Sequence, residues 1–464
     1  YGGKLGGGLE LMAYLRAART AGHGATVEAD AQSRFDGRLG TRASLAPGPS
    51  NARYRAVDGH QELSRGPWRW RNDLRDRSDV GTGVGIAEAL DPAGYGKSRR
   101  LSSDLIYDNR NFSEHWSLSG QASFVHYVEK SRLTLFPAGA FGGAFPDGVI
   151  GNPDKWERHL RLSLTAGYRG WRGHQIRLGA GHDRLELYKV VENKNFTPTL
   201  APLPGGVTDV TATAPFLFPN TRRVSYVLAQ DEWSFARDWT LTLGLRHDRY
   251  SDFGGTSNPR LALVWEAAYN LSLKLLHGSA FRAPSFVELY GINNPVALGN
   301  SKLQPERVKT DEFAVNWQAR DDLRVAANIY RYRRVDVIQF LPQAGLGQVA
   351  QNVARIKGHG GELELEWQPG RDWRLQAHCA LQRSRDASTG RDTGFAPEND
   401  GYLRVEWLGA AQWRPSAQLN RIGPRPRPAG DTRAALKGYT AVDLNLRLLS
   451  SDWELTASAR NLFG

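Results

Sequence analysis

Few residues in this chain are arranged for bond-making chemistry, and several loops are built for capture. Cys379 is the single cysteine, so no disulfide framework is available. It alternates with Arg374, Gln376 and His378, which sets it beside Leu375 and Ala377 as a small apolar filler. Gly81-Thr82-Gly83-Val84-Gly85 has the glycines of a dinucleotide loop. It lacks the strand–helix–strand unit that would aim a helix N-terminus at a pyrophosphate. No G-x-S-x-G run and no pair of histidines at metal-ligand spacing occurs. An enzyme and a tightly held metal or cofactor are therefore not expected. Aromatic residues suit another task. Leu135 to Asn152 reads LFPAGAFGGAFPDGVIGN, with Phe136, Phe141 and Phe145 separated by Gly and Pro. Phe216 and Phe218 in Gly205 to Asn220 form a weaker version. Such rings can hold a large ligand by apolar and stacking area, or pack on neighbouring loops.

The elements that must carry these loops have period two. Leu241, Leu243 and Leu245 alternate with Thr242, Gly244 and Arg246. Leu160, Leu162 and Leu164 alternate with Arg161 and Ser163. Leu363, Leu365 and Trp367 alternate with Glu362, Glu364 and Glu366, and Leu444 to Leu448 repeats the pattern. Such segments are strands with one apolar and one polar face. Many alternate for about ten residues, the length a tilted strand needs to cross a bilayer. No long stretch has helical spacing. No run approaches the ~18 apolar residues of a membrane helix, and mean hydropathy is −0.49. With 14 Trp, 16 Tyr and 17 Phe, disorder is excluded.

Connection lengths say which way the faces point. Short turns fall at Ala236–Asp238, Ala319–Asp322, Pro369–Asp372, Leu408–Ala411 and Leu449–Asp452. Long connections are expected at Val190–Asn220, Ala283–Arg307, Leu341–Val353, Asp386–Asn399 and Gly423–Lys437. Tight turns at one end and long loops at the other is the outer-membrane barrel pattern. Trp239, Trp373 and Trp453 after short turns suit an interfacial girdle. The competing fold is a soluble β-propeller, but its strands are shorter and no blade motif repeats. The expected fold class is all-β, a transmembrane antiparallel barrel of about nineteen strands. A barrel that wide cannot fill its lumen with side chains.

Charge is +12 at neutral pH, from 60 Lys and Arg against 48 Asp and Glu. The arginines are spread along expected lumen positions, among them Arg161, Arg177, Arg246, Arg324, Arg374, Arg404 and Arg447. That dispersal argues against a nucleic-acid face. A basic mouth would draw an anionic ligand and would equally suit lipopolysaccharide around the barrel.

Gly278 to Glu306 reads GSAFRAPSFVELYGINNPVALGNSKLQPE. The run Phe281, Arg282, Ala283, Pro284, Ser285, Phe286, Glu288, Leu289, Tyr290, then Asn300, Leu303, Pro305 and Glu306, resembles the TonB-dependent outer-membrane receptor family. So do Asn352 with Gly361, Glu362 and Glu364, the Tyr250-Ser251-Asp252-Phe253-Gly254 loop, and the terminal Tyr439–Leu446 and Arg460-Asn461-Leu462-Phe463. The resemblance implies an outer-membrane receptor, a monomer. It takes a chelate such as a siderophore, cobalamin or haem, and couples to TonB through a plug domain. A passive pore-forming barrel is the alternative of another class. Residues 1–464 are expected to be barrel throughout, part of one of about 22 strands and incomplete at both ends, because Lys4–Thr20 already reads as strand and the sequence stops at Gly464. Pro284, Pro295 and Pro305 suggest that the FRAPSF loop is architecture. Arg282 and Glu306 could pair or face the lumen. Some cobalamin receptors of the family bind calcium near early loops, where Asp30, Asp36, Asp91 and Asp104 are candidates, though at no specific spacing.

Overall fold

The computed structural model describes residues 1–294, 297–343, 347–410, 412–427 and 431–463. Pro295, Ala411 and Gly464, named above, lie outside the described residues. Among those described, twenty strands have five residues or more and five have two or three. Each long strand pairs antiparallel with its sequence neighbour, from Gly2–Gly6 on Leu9–Thr20 round to Tyr439–Leu449 on Glu454–Ala459. The two outermost strands are not paired with each other among the described residues.

The alternation read from sequence is present in three dimensions. Leu160, Leu162 and Leu164 stand opposite Phe124, Ala122 and Gly120 on one neighbour, and opposite Arg184, His182 and Ala180 on the other. All three leucines are exposed on the outside of the wall. Leu243, Leu245, Leu363 and Leu444 are exposed likewise, and Cys379 stands on this face opposite Leu363. The inner face carries many charges, which pair along a strand or with the next one. Arg246 grips Asp248 at 2.7 Å. Arg374 and Arg404 each reach Glu406 at 3.8 Å, and Arg324 reaches Glu366 at 3.6 Å.

Rings line the short-turn rim. Trp116, Tyr168, Trp171, His174, Trp233, Phe235, Trp239 and Trp265 form a chain with successive centroids 4.8 to 6.2 Å apart. Indoles and phenols suit a boundary with one apolar and one wet side. Buried apolar residues gather at the opposite, long-loop end.

The structure corrects several expectations. Lys4–Thr20 is a hairpin turning at Gly7-Gly8, not one strand. The connection expected at Leu341–Val353 is mostly strand, because Leu323–Gln343 and Gly347–Trp367 run far past the wall. Helices do occur: α1 (Ala31–Leu39) and α2 (Phe286–Tyr290). Asn461, Leu462 and Phe463 follow the strand Glu454–Ala459 rather than extend it. They stay beside the neighbouring strand Tyr439–Leu449, where the Asn461 N–H donates to the Asp443 side chain at 2.8 Å and the Leu462 N–H to the Val442 carbonyl at 3.0 Å. No helix among the described residues is long and apolar enough to cross a membrane, which says nothing of strands.

Candidate ligand-binding crown

The long connections meet in a layer above the wall, and the FRAPSF run sits in its middle. Arg282 ends the strand Leu271–Arg282. Its guanidinium binds both oxygens of Glu288, each at 2.9 Å, and Glu306 at 2.7 Å. Glu306 also accepts from Arg334 at 3.1 Å and from the Ile338 N–H at 2.9 Å. One fork-shaped cation thus ties the loop's two ends to a third strand. The pairing of Arg282 with Glu306 is therefore present.

Helix α2 explains the Ser-Phe-Val-Glu spacing inside the motif. Ser285 Oγ accepts from the Glu288 N–H, and the Glu288 carboxylate accepts from the Ser285 N–H. This reciprocal capping box satisfies two donors of the first turn. Burial raises the Glu288 carboxyl, but bonds from Arg282 and Ser285 outweigh it and hold it below its usual range. Leu289 and Leu303 are buried with Ile338 and Ala350. Pro284 and Pro305 are fully buried. Phe286 is half-buried, stacks toward Tyr290 and lies 5.0 Å from Arg222, which donates to the Pro284 carbonyl at 2.7 Å. Phe281 packs edge-on against Tyr250 at 5.7 Å. Asn352 exchanges bonds with the Gln304 backbone at 2.8 and 2.9 Å.

The aromatic loop is placed as a second small core. Phe145 is 2% exposed and Phe136 is buried; both pack with Ala31 and Phe35 of α1, Ala89 and Phe196. Phe141 is half-buried between Phe35, Phe136 and Phe145, at centroid distances of 5.0, 4.9 and 6.1 Å. Phe216 is half-buried against Leu187, Val190 and Leu217. Phe218 keeps its ring free at 52% exposure. Nearby, Lys194 is 1% exposed and donates to the carbonyls of Ala214 and Asn293 at 2.8 and 3.1 Å, with Glu192 at 3.4 Å. No sequence feature marked this buried cation.

The four early aspartates serve local structure. Asp30 is the N-cap of α1. Asp36 accepts from Thr41, Gln32 and the Ser44 N–H. Burial pushes the Asp36 carboxyl up, and these bonds more than offset it, bringing it down to about 2. Asp91 accepts from Gly94 and Thr134 N–H groups. Asp104 lies in the strand Tyr95–Asn109, not a loop, and binds Arg71 at 2.8 Å. Among the described residues no group of three or more His, Cys, Asp or Glu is placed to hold a metal. Gly81 to Gly85 leads through turns to the strand Tyr95–Asn109, with no helix after it to receive a phosphate.

A family model described as "TonB dependent receptor-like, beta-barrel" matches residues 28–462. The chain belongs to this family. Its members are transport receptors, not enzymes. The vitamin B12 transporter BtuB of Vibrio cholerae serotype O1 is 32% identical over 228 residues, 46% of this chain and 36% of that protein. Two solved TonB-dependent receptors share the fold. The siderophore receptor PirA from Acinetobacter baumannii gives a TM-score of 0.75 at 15% identity, over 99% of this chain and 72% of that one. The ferric enterobactin receptor PfeA from Pseudomonas aeruginosa gives 0.75 at 17%, over 100% and 71%. The match spans about a third of the length of the first curated relatives.

Proposed function

We propose that this chain forms the receptor barrel of a TonB-dependent uptake system in the outer membrane of a Gram-negative bacterium. It acts as a monomer and takes up a scarce nutrient chelate, in first place an iron siderophore. The observation that carries this is the family match over residues 28–462, on a wall whose apolar side faces out and whose charged side faces in. Loops held by Arg282 and Glu306 would present the ligand surface. Phe218 has its ring free for stacking, while Phe136, Phe141 and Phe145 would shape the loop from within. TonB would act through a plug domain, since a lumen of this width needs one to stay closed.

Cobalamin is the second reading, favoured by the 32% identity to a vitamin B12 transporter. Growth of a receptor-deleted host separates them. Rescue on one ferric siderophore supports the first reading, and rescue only on cobalamin supports the second. A large constant conductance of the complete gene product in planar bilayers, with rescue by neither, would favour a passive pore.

A further inference from the structure

The lumen face of the wall holds a recess of its own, well below the crown. Four neighbouring strands, Trp68–Gly81, Tyr95–Asn109, Trp116–Arg132 and Val149–Tyr168, line a space of about 430 Å³. Their inward positions supply Arg75, Arg100 and Arg161, with Ser102, Ser123 and Gln121 among them. The outward neighbours of these residues include Leu101, Phe124 and Leu160, all exposed. Successive side chains of a strand point to opposite faces at one depth, so the recess lies level with the apolar band.

The acids of this region are already engaged. Asp73 is bound by His60 at 2.7 Å, Asp104 by Arg71 at 2.8 Å and Asp58 by Arg77 at 2.7 Å. Arg161 reaches Asp183 only at 4.0 Å. Arg75 stands directly opposite Arg100 in the register. Among the described residues neither has a carboxylate within ion-pair distance, and all three arginines are exposed. Elsewhere on the inner face Arg246 has Asp248 at 2.7 Å and Arg324 has Glu366 at 3.6 Å. Like charges directly opposite each other in a sheet are destabilising, so Arg75 and Arg100 call for an anion in front of them. The recess has more room than one carboxylate side chain fills. Hydroxyl and amide donors beside guanidinium forks suit an anion with several oxygens. A site on a path of passage must also hold its cargo weakly enough to let it go. Exposed guanidinium groups, screened by water, meet that demand.

We propose that Arg75, Arg100 and Arg161 form a relay site, occupied by an oxygen-rich, multiply charged anionic chelate between the crown and the far end of the lumen. This rests on the uptake reading above and adds a second stop to it. The test uses the complete gene product in mild detergent, with Cys379→Ser and a fluorophore on Thr165→Cys, on the same inner face as Arg161. A second protein carries the fluorophore on Asn328→Cys, in the strand Leu323–Gln343 on another arc of the lumen wall. The probes are the trianionic iron(III) tris-catecholate and the neutral iron(III) tris-acetohydroxamate, which quench the dye on approach. The trianion is expected to quench the first label at concentrations about tenfold lower than the second. Arg75→Gln with Arg100→Gln is expected to weaken quenching of the first label about ten- to thirtyfold, about a factor of five for each exposed charged contact. Arg324→Gln, on the other arc, is expected to stay within about twofold. Heat-dependent gel mobility checks that each variant is folded. Equal quenching by the neutral chelate, equal quenching of the two labels, or a wild-type response after Arg75→Gln with Arg100→Gln would each overturn the proposal. So would a first label that the trianion never quenches, the result expected if a carboxylate of a resident domain already fills the recess. Growth of a receptor-deleted host on iron chelates tests the uptake reading separately. Rescue without quenching strikes only the relay site, and quenching without rescue strikes the uptake reading.

Discussion

Leu162 in the wall and Phe145 in the crown are both large apolar side chains, 46% and 2% exposed. Leu162 belongs to a band of outward leucines, and Phe145 to a cluster of rings under α1. The crown stands in water and folds as soluble proteins do, by hiding rings from solvent. The wall stands in hydrocarbon, where backbone pairing is the demand and apolar side chains can face out. Charge is handled in reverse. The wall sets Arg246, Arg324 and Arg374 on its inner face, each near a carboxylate, whereas the crown buries Lys194 and ties Arg282 to two glutamates.

The largest effect should come from the crown. Phe145→Ala removes a ring that touches several others, at a cost of about 3–5 kcal/mol. The loss should be local. Hydrogen exchange should rise in residues 31–39 and 135–150, while heat-dependent gel mobility of the barrel stays as in wild type. Loss of the barrel itself would show that the two regions are one cooperative unit.

The next test asks which solvent Leu162 sees. Leu162→Arg should destabilise the barrel in lipid by about 2–4 kcal/mol if the residue lies near the bilayer midplane. Ser163→Arg, one residue along and facing the lumen, should change stability by under about 0.5 kcal/mol. Refolding titrations into vesicles measure both. Equal tolerance of the two substitutions would mean that the leucine face is not in lipid.

Glu306→Gln should be smaller. It keeps the shape and one acceptor but loses charge toward Arg282 and Arg334, both partly exposed. A cost of about 1–2 kcal/mol is expected, below the full value of a charged hydrogen bond because solvent screens the arginines. Proteolysis of the 283–305 loop reads it out. A wild-type cleavage rate would show that the capping box alone fixes α2.

These contrasts also explain what was legible beforehand. The wall repeats one pattern in many strands, so its alternation, short turns and Trp positions could be read directly. Register then delivered Arg246 to the lumen and Cys379 to the outer face. The crown has no period. Helix α2 was announced by Ser285 and Glu288 three residues apart, a spacing hidden because the run also matched a family motif. Helix α1 is nine residues with a Gly inside it, too short to show helical periodicity. The overrun of Leu323–Gln343 was missed because strand above the membrane needs no apolar alternation. Lys194 looks like any loop lysine until Ala214 and Asn293 close over it.

The smallest expected effect is a pH response confined to the crown. Asp36 holds the segment after α1 through Thr41 and Ser44, and its carboxyl lies near 2 in the folded chain, against about 3.9 when unfolded. A depressed value means that the folded state binds its proton more weakly than the unfolded state does. The stabilisation is therefore complete above about pH 4 and is lost as pH falls toward 2. Hydrogen exchange across residues 31–45 should accelerate in that window, with residues 160–164 unaffected. Asp36→Asn should make the same segment faster at neutral pH and abolish its acid dependence. If the variant kept the wild-type acid response, the charge at Asp36 would not be the group that secures this corner. The titration would then belong to Asp30, whose own bonds to Ser33, Ser44 and Leu90 lie beside it.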